Sequence, residues 1–327
     1  MRKIIKLSSV LFVFIIALTS CSSGPKTALT LGNGQLGSDV YAYYLDQVLI
    51  SSDKENISKE EIIKKTNELC LEYMKINTKF SESGLTIDSS VKAQLASEVT
   101  NQWAVFGNYY KSIGISKQTL TKIKESDAYK DAILLSLYTD EAKDAINEDE
   151  IKSYFKDNYV FFKAITGYFK TTGSDGKSTE KTDGEINAIK EQFNSMANEL
   201  SELKTIDAVY SDYLKGNSQN SSAMLDILVL EKSSDKYPKD FFEQVHGMGA
   251  DTAKVLASNV NIYLVLKFDN FDENQDFYQK YRTSCVYHIK KKDFNKKLAG
   301  WYKDSKAENN NSVQNKIYNT VMDVRSK

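Results

Sequence analysis

Apolar side chains run almost unbroken from Leu7 to Leu18, and no comparable run follows anywhere in the chain. About a dozen apolar residues fall short of the roughly 20 that cross a bilayer. With Arg2, Lys3 and Lys6 ahead of them they match the core of an export signal instead. Beyond this leader the pattern becomes periodic. Residues 28–48 open extended, turn at Gly32-Asn33-Gly34 and enter a helix capped near Ser38 or Asp39. Over 57–84, Ile62, Thr66, Leu69, Tyr73, Ile76 and Phe80 recur at intervals of three and four, which places them on one helical face. Ser58 and Glu61 match a capping box at its start, and Gly84 ends it.

Residues 88–113 predict another helix, with Leu95, Val99, Trp103 and Phe106 on one side. Ser116 starts a shorter one. A further helix over 127–146 offers Ile133, Leu134, Leu137 and Tyr138 to a core, and Asn147 with Glu150 repeats the cap pattern. Residues 35–158 therefore read as almost wholly helical. The texture changes at Val160, where "VFFKAITGYFKTT" alternates as a strand does. A polar loop (173–184), helices near 185–202 and 205–214, a strand over 223–231 and a brief helix over 237–248 follow. "TAKVLAS" and "NIYLVLKFDNF" predict two closing strands, and a last helix runs from about Phe277 to Asp304. "ENNNS" at 308–312 is the one low-complexity patch, and "NSVQNKIYNTVMDV" follows it.

Composition narrows the chemistry. Without the leader, the length that remains is enough for two domains with real cores. The whole chain carries a net charge of −1, and removing three basic leader residues makes the rest mildly acidic, so a nucleic-acid partner is not expected. His246 and His288 are far apart and lack the ligand spacing of a zinc site. No phosphate loop, GxSxG elbow or HExxH occurs, so neither metal nor cofactor is expected. Cys70 sits beside an apolar helical stripe and suits a core; sequence alone does not decide whether it pairs with Cys285.

Leu18-Thr19-Ser20-Cys21 resembles the lipobox of a bacterial lipoprotein signal. That resemblance implies cleavage after residue 20, diacylglycerol on Cys21, a tether over 21–27 and a place on the extracytoplasmic face of the cell membrane. Two acyl chains anchor stably where one is marginal.

The order of later elements resembles a second family. A strand with an N-G turn, the "YAYYL" helix, further helices and the "NEDEIKSYFKDNY" lead-in to a small α/β unit resemble the PrsA/SurA extracytoplasmic foldases. "FKAITGYF" stands where the first parvulin strand would be. "YPKDFFEQVHGMGADTAKVLASNVNIYLVLKF" resembles the parvulin end. The resemblance implies an α+β protein. A discontinuous helical chaperone domain like the SurA N-terminal domain (28–158, rejoined by 273–327) would carry an inserted parvulin-like α/β domain (159–272). It also implies a prolyl isomerase scaffold, and here this chain departs from the family. Ala164 is followed by Ile165, Thr166 and Gly167 where a histidine is expected, and Asn261-Ile262-Tyr263-Leu264 lacks the second one. Ser221-Ser222-Ala223-Met224-Leu225 replaces the Gly-rich turn. What remains is a degenerate candidate pocket of Thr166, Tyr263 and Phe242.

The chain holds 20 Tyr and 15 Phe, clustered in "YAYYL", "FGNYY" and "YFKDNYVFF". Such rings either fill the core or line a cleft for unfolded segments. The expected function is a membrane-anchored chaperone for unfolded or newly exported polypeptides, with isomerase activity weak or lost. Two alternatives stay open: a binding module for one dedicated partner on the same scaffold, and an active peptidyl-prolyl isomerase.

Overall fold

The computed structural model describes residues 26–326, apart from 53–56, 140, 173–176, 202–203, 218–223 and 270–274. The leader, Cys21 and most of the tether lie outside the described residues. The elements begin with β1 (Thr27–Leu31), β2 (Gly34–Gly37), α1 (Ser38–Ser52), α2 (Lys59–Ser83), α3 (Ser89–Ser112) and α4 (Lys117–Tyr138). Next come α5 (Glu148–Asn158), β3 (Tyr159–Tyr168), β4 (Lys170–Thr172), β5 (Ser178–Glu180), α6 (Asp183–Ser201) and α7 (Ile206–Gly216). The chain continues with β6 (Leu228–Glu231), α8 (Phe241–His246), β7 (Ala253–Ala257), β8 (Asn261–Phe268), α9 (Gln275–Gly300), β9 (Ala307–Asn309) and α10 (Asn311–Arg325). Among the described residues no helix is long and apolar enough to cross a membrane.

This α+β chain divides into two compact units, one running to Lys130 and resuming at Leu298, the other being Asp131–Lys297. The boundaries expected from sequence fall at 158/159 and 272/273. The structure groups α5 and most of α9 with the central sheet because their aromatic faces meet it. Phe155 lies against Tyr159, Phe161 and Tyr278, and Phe277 lies against Phe161, at ring separations of 4.9–5.5 Å.

In the first unit, Gly32 has a positive φ, in the left-handed region that a two-residue hairpin turn needs, and joins β1 to β2. The sequence pattern does not resolve β2 and places Thr27 in the tether, whereas Thr27 pairs with Gly37. It also leaves the low-complexity patch unstructured. Ala307–Asn309 instead pairs antiparallel with β1, giving the order β2-β1-β9. Capping follows local chemistry: Ser58 accepts from the Glu61 N–H at 3.2 Å, and Gly84 closes α2 in the left-handed region. The two helices expected over 116–146 are one, α4, which ends at Tyr138. No glycine or proline interrupts 117–138, so nothing breaks it earlier. The core gathers Ala28, Leu29, Tyr41, Leu45, Cys70, Val99, Leu120 and Val321, all essentially sealed.

The second unit is a four-stranded antiparallel sheet, β6-β3-β8-β7, with a separate β4-β5 hairpin. Strand β6 is shorter than the expected 223–231, and it pairs β3 only over Tyr159–Phe162. One face of the sheet, with Phe162, Ala164, Tyr263 and Val265, packs on Phe241, Phe242 and Val245 of α8. The other face, with Ile165, Ile262 and Leu264, packs on Phe193 and Met196 of α6 and Ile206 and Val209 of α7. The Arg282 guanidinium grips Glu148 at 2.7 Å, with Tyr278 donating to the same carboxylate, and so joins α5 to α9. Arg282 holds that carboxyl below its ordinary range. Cys70 and Cys285 are both buried and free.

The closing contact of the first unit is polar. Arg325 donates to Asp46 Oδ1 at 3.0 Å and Tyr109 donates to the same oxygen, with Asp46 only 1% exposed. Arg325→Ala leaves a buried carboxylate short of a cation. It should cost about 3 kcal/mol, the low end for breaking a buried pair, because water reaches part of the arginine. Both tryptophans, Trp103 and Trp301, lie in this unit, so urea unfolding followed by their fluorescence reads it alone. A loss under about 1 kcal/mol would show that the Asp46–Arg325 pair contributes little to holding α10.

Candidate functional site

Antiparallel register sets Thr166 directly opposite Tyr263, so their side chains share one face of the β3/β8 pair. Phe242 joins Tyr263 in the apolar cluster under α8. The two strands thus bring Thr166 beside Tyr263, while the helix supplies Phe242 as core. Tyr263 is 5% exposed, edge-on to Phe241 at 5.1 Å and tilted against Tyr237 at 5.7 Å. Its hydroxyl accepts from Asn261 Nδ2 at 2.9 Å.

Of the three, Thr166 alone borders the cavity that opens at the β3 edge, where β6 has ended. This cavity of about 570 Å³ lies between Thr166, Tyr168 and Lys170 on one side and Ile189, Tyr210 and Tyr213 on the other. Gly167 makes room for the sheet at this point: a Cβ there would stand 2.8 Å from the Phe193 ring. The described lining holds hydroxyls and lysines but no histidine, cysteine or carboxylate. Its residues can hydrogen-bond a backbone through their hydroxyls, amides and ammonium groups.

The histidines lie elsewhere. His246 stacks on Phe242 at 5.5 Å, with Nε2 3.1 Å from the Lys156 carbonyl. His288 stacks on Tyr154 and meets Glu231 at 3.3 Å. Lys267 is equally committed: Nζ donates to the carbonyls of His246 and Met248 at 2.7 and 2.6 Å, closing the end of α8. Burial pulls its pKa down from the usual lysine range. Among the described residues no cluster of His, Cys, Asp or Glu could hold a metal ion.

The aromatic clusters separate cleanly once placed. In "YAYYL", Tyr41 and Tyr43 are core, and Tyr44 leans on Tyr73 at 5.9 Å. In "YFKDNYVFF", Phe155, Tyr159, Phe161 and Phe162 are sealed. "FGNYY" is different: Phe106 is 51% exposed and lines a cleft of about 610 Å³ in the first unit. Phe106, Tyr109 and Tyr110 project from the last turns of α3 at helical spacing, facing Ile50 of α1 and Val324 of α10. Ile50 is 53% exposed. The Asp46–Arg325 pair forms part of the wall, and Tyr110 accepts from Gln102 at 2.6 Å. Burial, with the Asp46 hydrogen bond second, pushes the Tyr109 hydroxyl up to about 12, so it stays a donor at neutral pH.

Sequence reasoning places Phe106 on one side of its helix and leaves its cluster open between core and cleft, and it misses Ile50, Asp46 and Arg325. One signal is present: Asp46 is the sole charge in "VYAYYLDQVLI", and an isolated charge in an apolar helix needs a partner.

No protein-family model and no curated protein sequence matches this chain. Solved structures do show similarity. The foldase protein PrsA from Streptococcus pneumoniae aligns over 86% of this chain and 89% of its own at 9% identity and a TM-score of 0.36. The PrsA foldase from Lactococcus lactis aligns over 90% and 99% at 12% identity and the same TM-score of 0.36. PrsA from Bacillus subtilis aligns over 88% and 82% at 12% identity and a TM-score of 0.25.

The cleft predicts a measurable surface. Replacing Ile50 and Phe106 together by serine should at least halve the enhancement of an apolar fluorescent probe, with little loss of stability because both side chains are half exposed. Unchanged probe binding would place the accessible apolar surface elsewhere.

Proposed function

We propose that this protein is a lipid-anchored extracytoplasmic chaperone of the foldase type, holding unfolded or newly exported polypeptides near the membrane. The observation that carries this reading is the cleft beside Phe106 and Ile50: a concave, mostly apolar surface on which the Phe106 ring and the Ile50 side chain are half exposed, with its one carboxylate, Asp46, held by Arg325. Such a surface holds segments by area rather than by sequence, because apolar attraction is non-directional. The order of elements supports the reading too, since a helical unit built from both ends of the chain flanks a contiguous α/β unit in sequence. In this reading the α/β unit is a parvulin-like insertion whose isomerase activity is weak or lost.

Amide rotation crosses a barrier of about 18–20 kcal/mol. Lowering it requires groups that bind the twisted amide better than the planar one. At the strand positions in question stand Thr166 and a Tyr263 whose hydroxyl already accepts from Asn261.

Two experiments test the proposal. Suppression of aggregation of several unrelated denatured clients should be clear for the native chain and fall severalfold in the Ile50→Ser, Phe106→Ser variant. In a protease-coupled assay on a proline tetrapeptide, isomerisation should stay near the uncatalysed rate, with Thr166→Ala and Tyr263→Phe changing nothing. Strong isomerisation lost in either variant would make the pocket an active one. Aggregation unaffected by the native chain would favour a binding module for one dedicated partner. For the anchor, Cys21→Ala should move the protein from the membrane fraction into the soluble one; retention after a carbonate wash would place the attachment elsewhere.

A further inference from the structure

A second cavity in the first unit, about 360 Å³, opens beside Lys26, where the described chain begins. Three lysines reach it from three parts of the chain: Lys26 ahead of β1, Lys111 at the end of α3 and Lys316 on α10. Ser38, Ser312 and Thr320 add hydroxyls, and Ile113, Val313 and Ile317 give it an apolar side. No carboxylate lines it among the described residues. Lys111 Nζ lies over the Trp103 ring, 5.8 Å from the centroid, and all three lysines are exposed. Positive charge from separated segments thus converges on a hollow that has both a polar rim and an apolar wall.

The position of this hollow in the chain identifies its occupant. The Ser38 N–H donates to the Lys26 carbonyl at 2.7 Å, which pins the entry of the chain at the cavity. Cys21 lies five residues upstream. Even fully extended, so short a piece of chain reaches less than the thickness of a bilayer. The inference rests on the anchoring of Cys21 proposed above: a lipid there keeps Lys26 within that reach of the membrane surface. At such range the effective concentration of headgroups is high, so a weak intrinsic affinity suffices. The geometry points to the headgroup of an anionic phospholipid in the anchoring leaflet. Its phosphodiester would be met by Lys26, Lys111 and Lys316, and its glycerol by Ile113 and Ile317. Docking there would hold the first unit against the membrane in one orientation rather than leave it free on its tether.

The test uses the chain from Ser22 onward, which carries no lipid and keeps every described residue. It is sedimented with vesicles of phosphatidylcholine alone or of equal parts phosphatidylglycerol and phosphatidylcholine. Binding should require the anionic lipid and weaken as salt is raised, since these charges lie at the surface. Each lysine near an anionic surface is worth about fivefold in affinity, so Lys111→Glu with Lys316→Glu should cost at least about 25-fold. Lys64→Glu with Lys92→Glu changes the net charge equally at other exposed sites of the same unit and should cost far less. Circular dichroism checks that both variants are folded. Equal losses in the two variants, equal binding to phosphatidylcholine, or no vesicle binding would each overturn the site. So would inorganic phosphate competing at the concentration of vesicle phosphate, which would indicate a soluble anion. Because Cys21 is absent from this chain, the result is independent of the membrane fractionation of Cys21→Ala, and either can fail alone.

Discussion

The first unit depends on one backbone pairing, β1 with β9. A two-stranded hairpin is marginal in water, and β1 with β2 would be no more than that. Strand β9 makes β1 the central strand by pairing Leu29 with Asn309, Thr30 with Glu308 and Leu31 with Ala307. The Ala28 carbonyl then accepts from the Asn310 N–H and from Gln314 Nε2, both at 3.0 Å, and the Asn310 side chain donates to Thr27 at 3.1 Å. Ala28 and Leu29, sealed in the core, owe their burial to residues from the far end of the chain. Closing so long a loop costs entropy that local helices never face. The second unit, Asp131–Lys297, is contiguous and needs nothing from either end to form its sheet. In the order of synthesis, the first unit is therefore the one that must wait for the last strand and helix.

The same closure makes the cleft. Helix α10 arrives on α1, and its Arg325 finds Asp46, a carboxylate that an apolar helix face would otherwise bury without a cation. The pair sits beside Tyr109, Phe106 and Ile50, so groups that stabilise the unit also shape its exposed apolar hollow. The carboxylate in the wall is engaged by Arg325 and Tyr109, whereas Phe106 and Ile50 leave apolar area in the open.

How much is legible in the sequence follows from how local each cause is. Helix α2 is readable at both ends because Ser58 and Gly84 act within a turn of themselves. The strands Ala253–Ala257 and Asn261–Phe268 are readable because both are short apolar runs bounded by turn residues. Strand β9 is not: Ala307–Asn309 is polar and exposed, and only the partner across the sheet makes it a strand. The single α4 reads as two because Ser116 and the residues near 127 carry cap-like chemistry, and the helix runs on through the second of these places. The aromatics show the limit most plainly. Tyr41, Phe155 and Phe106 have the same kind of periodic neighbours, yet two are sealed and the third is half in water. Exposure is decided by which helix end stops short of which neighbour, and no window of sequence carries that.

The cavity at Thr166 and the cleft at Phe106 also differ in what substitution can do to them. The cavity is lined by hydroxyls and lysines around a strand edge, and any rate enhancement there would depend on contacts placed to a fraction of an ångström. Rate depends exponentially on discrimination, so losing directed contacts removes most of a catalytic pocket's effect. The cleft tolerates more. Apolar attraction scales with area at about 25 cal/mol per Å², and exchanging one ring for another large apolar side chain changes it by a fraction. A holding surface is thus less sensitive to substitution than a directed pocket. Directionality, more than the fold around it, sets that sensitivity.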